Sequence, residues 1–142
     1  MVKFFEMKLS IFCDGGARGN PGPAASAFVA YQNGRTIYRF GKKIGETTNN
    51  VAEYQAVIFA LEWLKDQSSI VNRQSSIAFF LDSQLVVNQL NGAYKIKNEN
   101  LKILAIKVKK LEQEISNNIS YSFIPRTKNK LADSLVGDVL SS

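Results

Sequence analysis

Asp14, Glu53, Asp82 and Asp133 are the residues of this sequence whose types and placement could do chemistry. The chain contains no histidine and a single cysteine, Cys13. That excludes Ser-His-Asp and Cys-His nucleophile systems, histidine zinc sites, cysteine-cluster metal sites and any internal disulfide. Carboxylate chemistry remains. Asp14 ends the first apolar alternation, and Asp82 follows the apolar run Ile77–Leu81. Glu53 falls in the first turn of an apolar helical pattern, and Asp133 near the start of the last one. In open α/β sheets, sites gather outside the carboxyl ends of parallel strands. If the first, fourth and fifth strands are parallel neighbours, Asp14 and Asp82 emerge side by side, and Glu53 and Asp133 enter from adjoining helices. Four converging carboxylates suit a hard cation such as Mg²⁺, which prefers oxygen ligands and works with substrate phosphates. Two such ions about 4 Å apart can clamp the attacking and leaving oxygens of a phosphodiester.

Each acid also has a local explanation. Asp14-Gly15-Gly16 reads as a turn. Asn50-Val51-Ala52-Glu53 fits a capping box in which Glu53 reaches back to the helix start. Asp82 can cap the helix that follows it, and Asp133 can favour the positive end of the last helix. None of these explains why all four acids fall at one end of one sheet. The remaining acids, including Glu6, read as solvated surface.

The elements that must position the acids follow from periodicity. Leu9, Ile11 and Cys13 alternate with Ser10, Phe12 and Asp14, the period of a strand. Asp14 to Pro23 is turn chemistry throughout. A second strand is expected near Ala25 to Tyr31, a tight hairpin at Asn33-Gly34, and a third strand from about Arg35 to Lys42 with Tyr38 and Phe40 on one face. Asn50 to Lys65 reads as a deeply buried helix. Ile77 to Leu81 reads as a strand covered on both faces, and Ser83 to Leu90 as a short helix. Leu101, Leu104, Val108, Leu111 and Ile115 form a stripe on a lysine-rich helix. Ile119 to Ile124 reads as a strand and Lys128 to Leu140 as a last helix. A meander followed by helix–strand alternation implies a mixed sheet with helices on its faces.

At 142 residues the chain reads as one domain, without repeats, linkers or low-complexity tracts. The net charge is +6, which points to an anionic partner, either nucleic acid or a membrane surface. No apolar run reaches membrane-spanning length. Charge at Lys3, Glu6 and Lys8 breaks any signal-peptide core at the N-terminus. A cytoplasmic location is expected.

Four segments together resemble the type 1 ribonuclease H family. Ile11 to Pro23 is similar to its first-strand signature, Thr47 to Glu53 to its second motif, Leu81 to Val86 to its third and Pro125 to Asp133 to its fourth. They occur in the family's order with suitable gaps, from about Lys8 to Leu140. The resemblance implies an α/β ribonuclease H-like fold: a five-stranded mixed sheet, antiparallel through strands 1–3, parallel through 1-4-5, and flanked by helices. It also implies hydrolysis of the RNA strand of an RNA–DNA hybrid with two Mg²⁺ ions when substrate is bound, Mn²⁺ being a possible substitute. Asp14 would bridge the ions, and Glu53, Asp82 and Asp133 would complete their shells. Gly15 and Gly16, lacking Cβ atoms, would let the phosphate backbone come close. Asn20, Thr48, Asn49, Asn50, Ser83, Gln84 and Arg126 would contact the hybrid. Shape reading of this kind relies on the 2′-hydroxyl, which distinguishes RNA from DNA.

Two features depart from the family pattern. Many relatives carry a histidine in the loop before the last acid, and here that stretch is Arg126-Thr127-Lys128-Asn129-Lys130. A basic, tryptophan-containing protrusion found in some relatives is replaced by Asn91 to Glu99, where Tyr94, Lys95 and Lys97 remain to meet the DNA strand. The alternatives are a non-catalytic hybrid-binding module, against which the four intact acids argue, and another nuclease of the same fold. The start at Met1 and the complete set of elements lead us to expect a stand-alone monomer without an obligate protein partner. Without histidine, no side chain has an unperturbed pKa between pH 5 and 8, so activity is expected to rise with pH through neutrality.

Overall fold

The computed structural model describes residues 8–142; Glu6, expected on the solvated surface, lies outside them. Five strands form one sheet: β1 (Lys8–Ala17), β2 (Gly22–Gln32), β3 (Arg35–Thr47), β4 (Ser76–Leu81) and β5 (Asn118–Phe123). Their order is β3-β2-β1-β4-β5. β1 pairs antiparallel with β2 and β2 with β3, while β1–β4 and β4–β5 are parallel. The expected mixed sheet is therefore present. The hairpin between β2 and β3 turns at Asn33 and Gly34, both with positive φ, 52° and 81°. That backbone matches the twist of the flanking strands.

Four helices complete the fold: α1 (Asn49–Lys65), α2 (Gln84–Leu90), α3 (Glu99–Gln113) and α4 (Lys130–Ser141), the last preceded by a single 3-10 turn at Arg126–Lys128. α1 is buried on most of its circumference, through Ala52, Tyr54, Ala56, Val57, Ile58, Ala60, Leu61 and Leu64. One side of it packs on β1 and another on α3, so it needs apolar residues nearly all round. On that side of the sheet Leu9, Ile11, Phe28, Ile77, Phe79 and Leu81 complete the main core. Tyr38 and Phe40 of β3 both meet Phe28, with ring centroids 5.8 and 5.4 Å away. α4 closes a smaller cluster on the other face, where Val136 meets Ala25 and Ala27.

Three local expectations are corrected. Asp14 to Ala17 is strand rather than turn: Gly15 and Gly16 pair with Ser26 and Ala25 of β2. Glycine reads as a turn residue in isolation, but ladder hydrogen bonds hold it extended here. β3 runs on to Thr47, five residues past Lys42. β4 is buried on alternate residues only, with Ala78 and Phe80 half-covered, because α4 lies over β1–β3 and leaves that stretch of sheet partly open. Phe12 fills some of the space by stacking on Phe80 at 4.9 Å and meeting Tyr31 edge-on at 5.3 Å.

Candidate active site

Parallel pairing of β1 with β4 ends at Cys13–Leu81. The next residue along each segment is an acid, so Asp14 and Asp82 stand side by side where the parallel pairing ends. Asp14 stays within β1, held opposite Ala27 of β2. Glu53 reaches the same place because α1 presses onto β1 at Gly15. A Cβ built on Gly15 would overlap the backbone of Ala52 and Glu53, so only glycine allows this approach. Gly15, assigned from sequence to substrate approach, thus serves helix packing first. Its N–H donates to Glu53 Oε1 at 3.3 Å, and Ser26, its partner across β2, donates from Oγ to the Ala52 carbonyl at 2.7 Å.

Carboxylate oxygens of Asp14, Glu53 and Asp82 lie within 4.8 Å of one another. Asp14 and Glu53 are buried, and the Asp82 side chain is 2% exposed. Asp133, in the first turn of α4, lines the same cleft but is exposed. The cleft has a volume of about 490 Å³ and also takes in Gly16, Asn49, Asn50, Ser83 and Arg126. Arg126 is 74% exposed, and its guanidinium stands 3.8 Å from Asp82 Oδ1.

Burial, followed by repulsion from Asp82, pushes Asp14 up from 3.8 to about 7. Burial and the neighbouring Asp14 charge raise Glu53 well above the usual carboxylate range. The Cys13 thiol is raised by burial, then by Glu53 and Asp14. Glu53 Oε2 is buried without a hydrogen-bond partner among the described residues. Crowded carboxylates with an unpartnered oxygen relieve their repulsion by taking up protons or by holding a cation. The donors are all hard oxygens, which fits a hard divalent cation and not a soft metal.

The capping readings of the acids do not hold. Thr48 caps α1, its Oγ1 accepting from the Val51 N–H at 3.2 Å. Asn50, expected as that cap, is already helical, and Glu53 turns to Gly15 instead of to the helix start. Ser83, not Asp82, caps α2, accepting from Val86. In both cases a hydroxyl does the capping and leaves the acid free: Thr48 two residues before Asn50, and Ser83 one residue after Asp82.

The amide and hydroxyl residues divide between two places. Asn49 accepts from the Ala17 N–H at 2.8 Å and lines the acidic cleft. Asn20 accepts from the Asn49 N–H at 3.0 Å and lies with Thr48 in a second cleft of about 200 Å³, which Asn98 and Asn100 also line. Asn50 borders both clefts. Gln84 is exposed on α2 and lines neither. Tyr94, Lys95 and Lys97 stay exposed on the α2–α3 connection. Sequence reasoning missed Asn98 and Asn100, for which Asn98-Glu99-Asn100 before an apolar stripe was an available capping signal. It also missed Asn129, which is 2% exposed and donates from Nδ2 to Asp82 Oδ2 at 2.9 Å.

The reverse transcriptase-like family model matches residues 12–139. A bifunctional protein of Mycobacterium tuberculosis is 34% identical over 138 residues, covering 96% of this chain and 36% of that protein. Ribonuclease HI of Halobacterium salinarum is 35% identical over 134 residues, covering 94% of this chain and 64% of that protein. The chain thus spans about a third of the length of the first curated relatives it matches. Among solved structures, LC11-RNase H1 in complex with an RNA/DNA hybrid superposes with a TM-score of 0.88 at 41% identity, covering 94% of this chain and 96% of that one.

Proposed function

This chain belongs to the type 1 ribonuclease H family, and on that premise we propose that it is an endoribonuclease that hydrolyses the RNA strand of RNA–DNA hybrids by two-metal-ion catalysis. The observation that carries the reading is the convergence of Asp14, Glu53 and Asp82 within 4.8 Å at the carboxyl ends of parallel strands. Asp14, Glu53, Asp82 and Asp133 would hold two Mg²⁺ ions, or Mn²⁺ in their place. Bound there, divalent cations would neutralise phosphate charge and acidify water near neutral pH.

The chain's own groups do the positioning. Gly15 and Ser26 fix α1 so that Glu53 faces Asp14. Arg126 stands at the cleft mouth, and its fixed positive charge suits a phosphate rather than proton transfer. Asn49 and Asn50 offer neutral amides that can meet sugar hydroxyls and base edges without selecting a sequence. Asn50 joins the two clefts into one polar path for the hybrid.

An end-labelled cleavage assay on a matched RNA–DNA hybrid, RNA duplex and DNA duplex, with and without Mg²⁺, tests this reading. RNA-strand cuts in the hybrid that require the cation are expected. Equal cutting of the DNA duplex, or cutting in excess chelator, overturns it.

A further inference from the structure

We propose that Asn129 is a positioning residue that sets the orientation of the Asp82 carboxylate and ties it to the strand and helix that carry Asp14 and Asp133. The inference rests on the proposal that these acids hold divalent cations. Asn129 lies between the 3-10 turn and α4 and is 2% exposed. Its Nδ2 donates twice, to Asp82 Oδ2 at 2.9 Å and to the Cys13 carbonyl at 2.8 Å. Cys13 is the residue before Asp14, and it closes the parallel pairing with Leu81, the residue before Asp82. The Asn129 carbonyl accepts from the Asp133 N–H at 3.1 Å. One buried side chain and its own peptide therefore touch three of the acid-bearing segments.

The amide's orientation is fixed by chemistry. Rotating it by half a turn would set Oδ1 against the Cys13 carbonyl and the Asp82 carboxylate, two acceptors facing a third. The observed orientation leaves Oδ1 buried without a partner among the described residues. Two bonds into the acid cluster are thus kept at the expense of an unpaired acceptor. With Oδ2 of Asp82 engaged by Asn129, Oδ1 is left toward Arg126. A neutral donor suits this place: it holds a ligand carboxylate without cancelling the charge a cation needs. Such outer-shell partners orient ligands and influence metal affinity.

The test is calorimetric titration of Mn²⁺ into the wild-type chain and the N129A, N129L and D82N variants, alongside thermal melts without the cation. N129L keeps the branched shape and heavy-atom count of the side chain if N129A folds poorly. Both Asn129 variants are expected to bind Mn²⁺ about 10–100-fold more weakly. Their hybrid cleavage should lose kcat with KM little changed, and recover in part at high cation concentration. A folded Asn129 variant with wild-type affinity overturns the proposal, even if its melting temperature falls. Wild-type affinity in D82N instead overturns the metal reading beneath it. In the intact chain, the Asn129 side-chain amide resonances should shift on adding Mg²⁺ with the midpoint of cation binding, and their failure to move overturns the proposal without any variant.

Discussion

Gly15 lies directly beneath the peptide joining Ala52 to Glu53, so close that a Cβ at position 15 would occupy the space of the Ala52 carbonyl. The obstacle is backbone and cannot rotate aside. Gly15→Ala is therefore expected to force α1 outward, lowering stability by about 1–3 kcal/mol and carrying Glu53 away from Asp14. Gly16 is a useful control, since its Cβ would meet only Val136 Cγ1 at 3.6 Å, an ordinary contact. Gly16→Ala should stay within about 0.5 kcal/mol of wild type. Denaturant midpoints of the two variants check this, and equal effects would refute the close-approach argument.

Removing one acid should stabilise the cation-free chain while ending activity. Asp14 has its pKa raised from 3.8 to about 7, chiefly by burial and then by Asp82. A raised carboxylate binds its proton more tightly in the folded state than in the unfolded one. Its contribution to stability is present below pH 4 and is lost as pH rises through about 7. The cation-free wild type should then lose stability between those limits, and Asp14→Asn should flatten that slope and melt higher at pH 8. Saturating Mg²⁺ should stabilise the wild type far more than the variant. Melting curves against pH read both effects, and wild-type cleavage by Asp14→Asn would remove Asp14 from the site.

The pH–rate profile should follow competition between protons and the cation. No histidine is available, but Asp14 is pushed up to about 7 without a cation, and the adjoining Glu53 is raised as well. A cation binds the ionised form. The acid limb of single-turnover cleavage is thus expected to move to lower pH as Mg²⁺ is raised, by up to one unit per tenfold increase in cation where a single proton competes. Above the limb the rate should keep rising or level off. An acid limb that ignores Mg²⁺ concentration would exclude competition at these carboxylates.

Hybrid binding should weaken steeply with salt. The net charge is +6, and Lys107 and Lys110 on α3 are exposed, while Lys102 and Lys109 are engaged by Glu99 and Glu112 on the same helix. Each phosphate neutralised contributes a slope of about −0.9 in log K against log salt for duplex DNA, and a hybrid should be comparable. Lys107→Gln with Lys110→Gln should reduce that slope by up to about two phosphates if α3 tracks the backbone. Fluorescence anisotropy on a labelled, uncleavable hybrid with Ca²⁺ in place of Mg²⁺ measures it. An unchanged slope would take α3 out of the interface.

Much of the molecule was legible along the chain because its signals are local. Two-residue alternation around Ile11, the Asn33-Gly34 hairpin and the apolar run before Asp82 are each set by neighbours in sequence. They suffice to order the elements along the chain, whereas the meeting of the acids at one end of a sheet was expected only on the condition that strands 1, 4 and 5 are parallel neighbours. The departures from family pattern, above all the loop from Arg126 to Lys130 without histidine, are also facts of sequence alone.

Other features were decided only when distant segments met. The Asp14-Gly15-Gly16 stretch has the composition of a turn, and it is a strand because β2 supplies its ladder partners. Gly15 has the look of a substrate-facing glycine, and its overriding constraint is a helix backbone that lies 37 residues further on at Ala52. Asn129 sits in a polar, basic stretch at the start of the expected last helix, with no local sign of burial, yet its amide is buried against Cys13 and Asp82, 116 and 47 residues away. Capping partners and turn propensities act within a few residues and leave their mark in the local sequence. Steric exclusion between backbones and the pairing of buried donors with acceptors depend on which segments the folded chain brings together, and no local pattern encodes them.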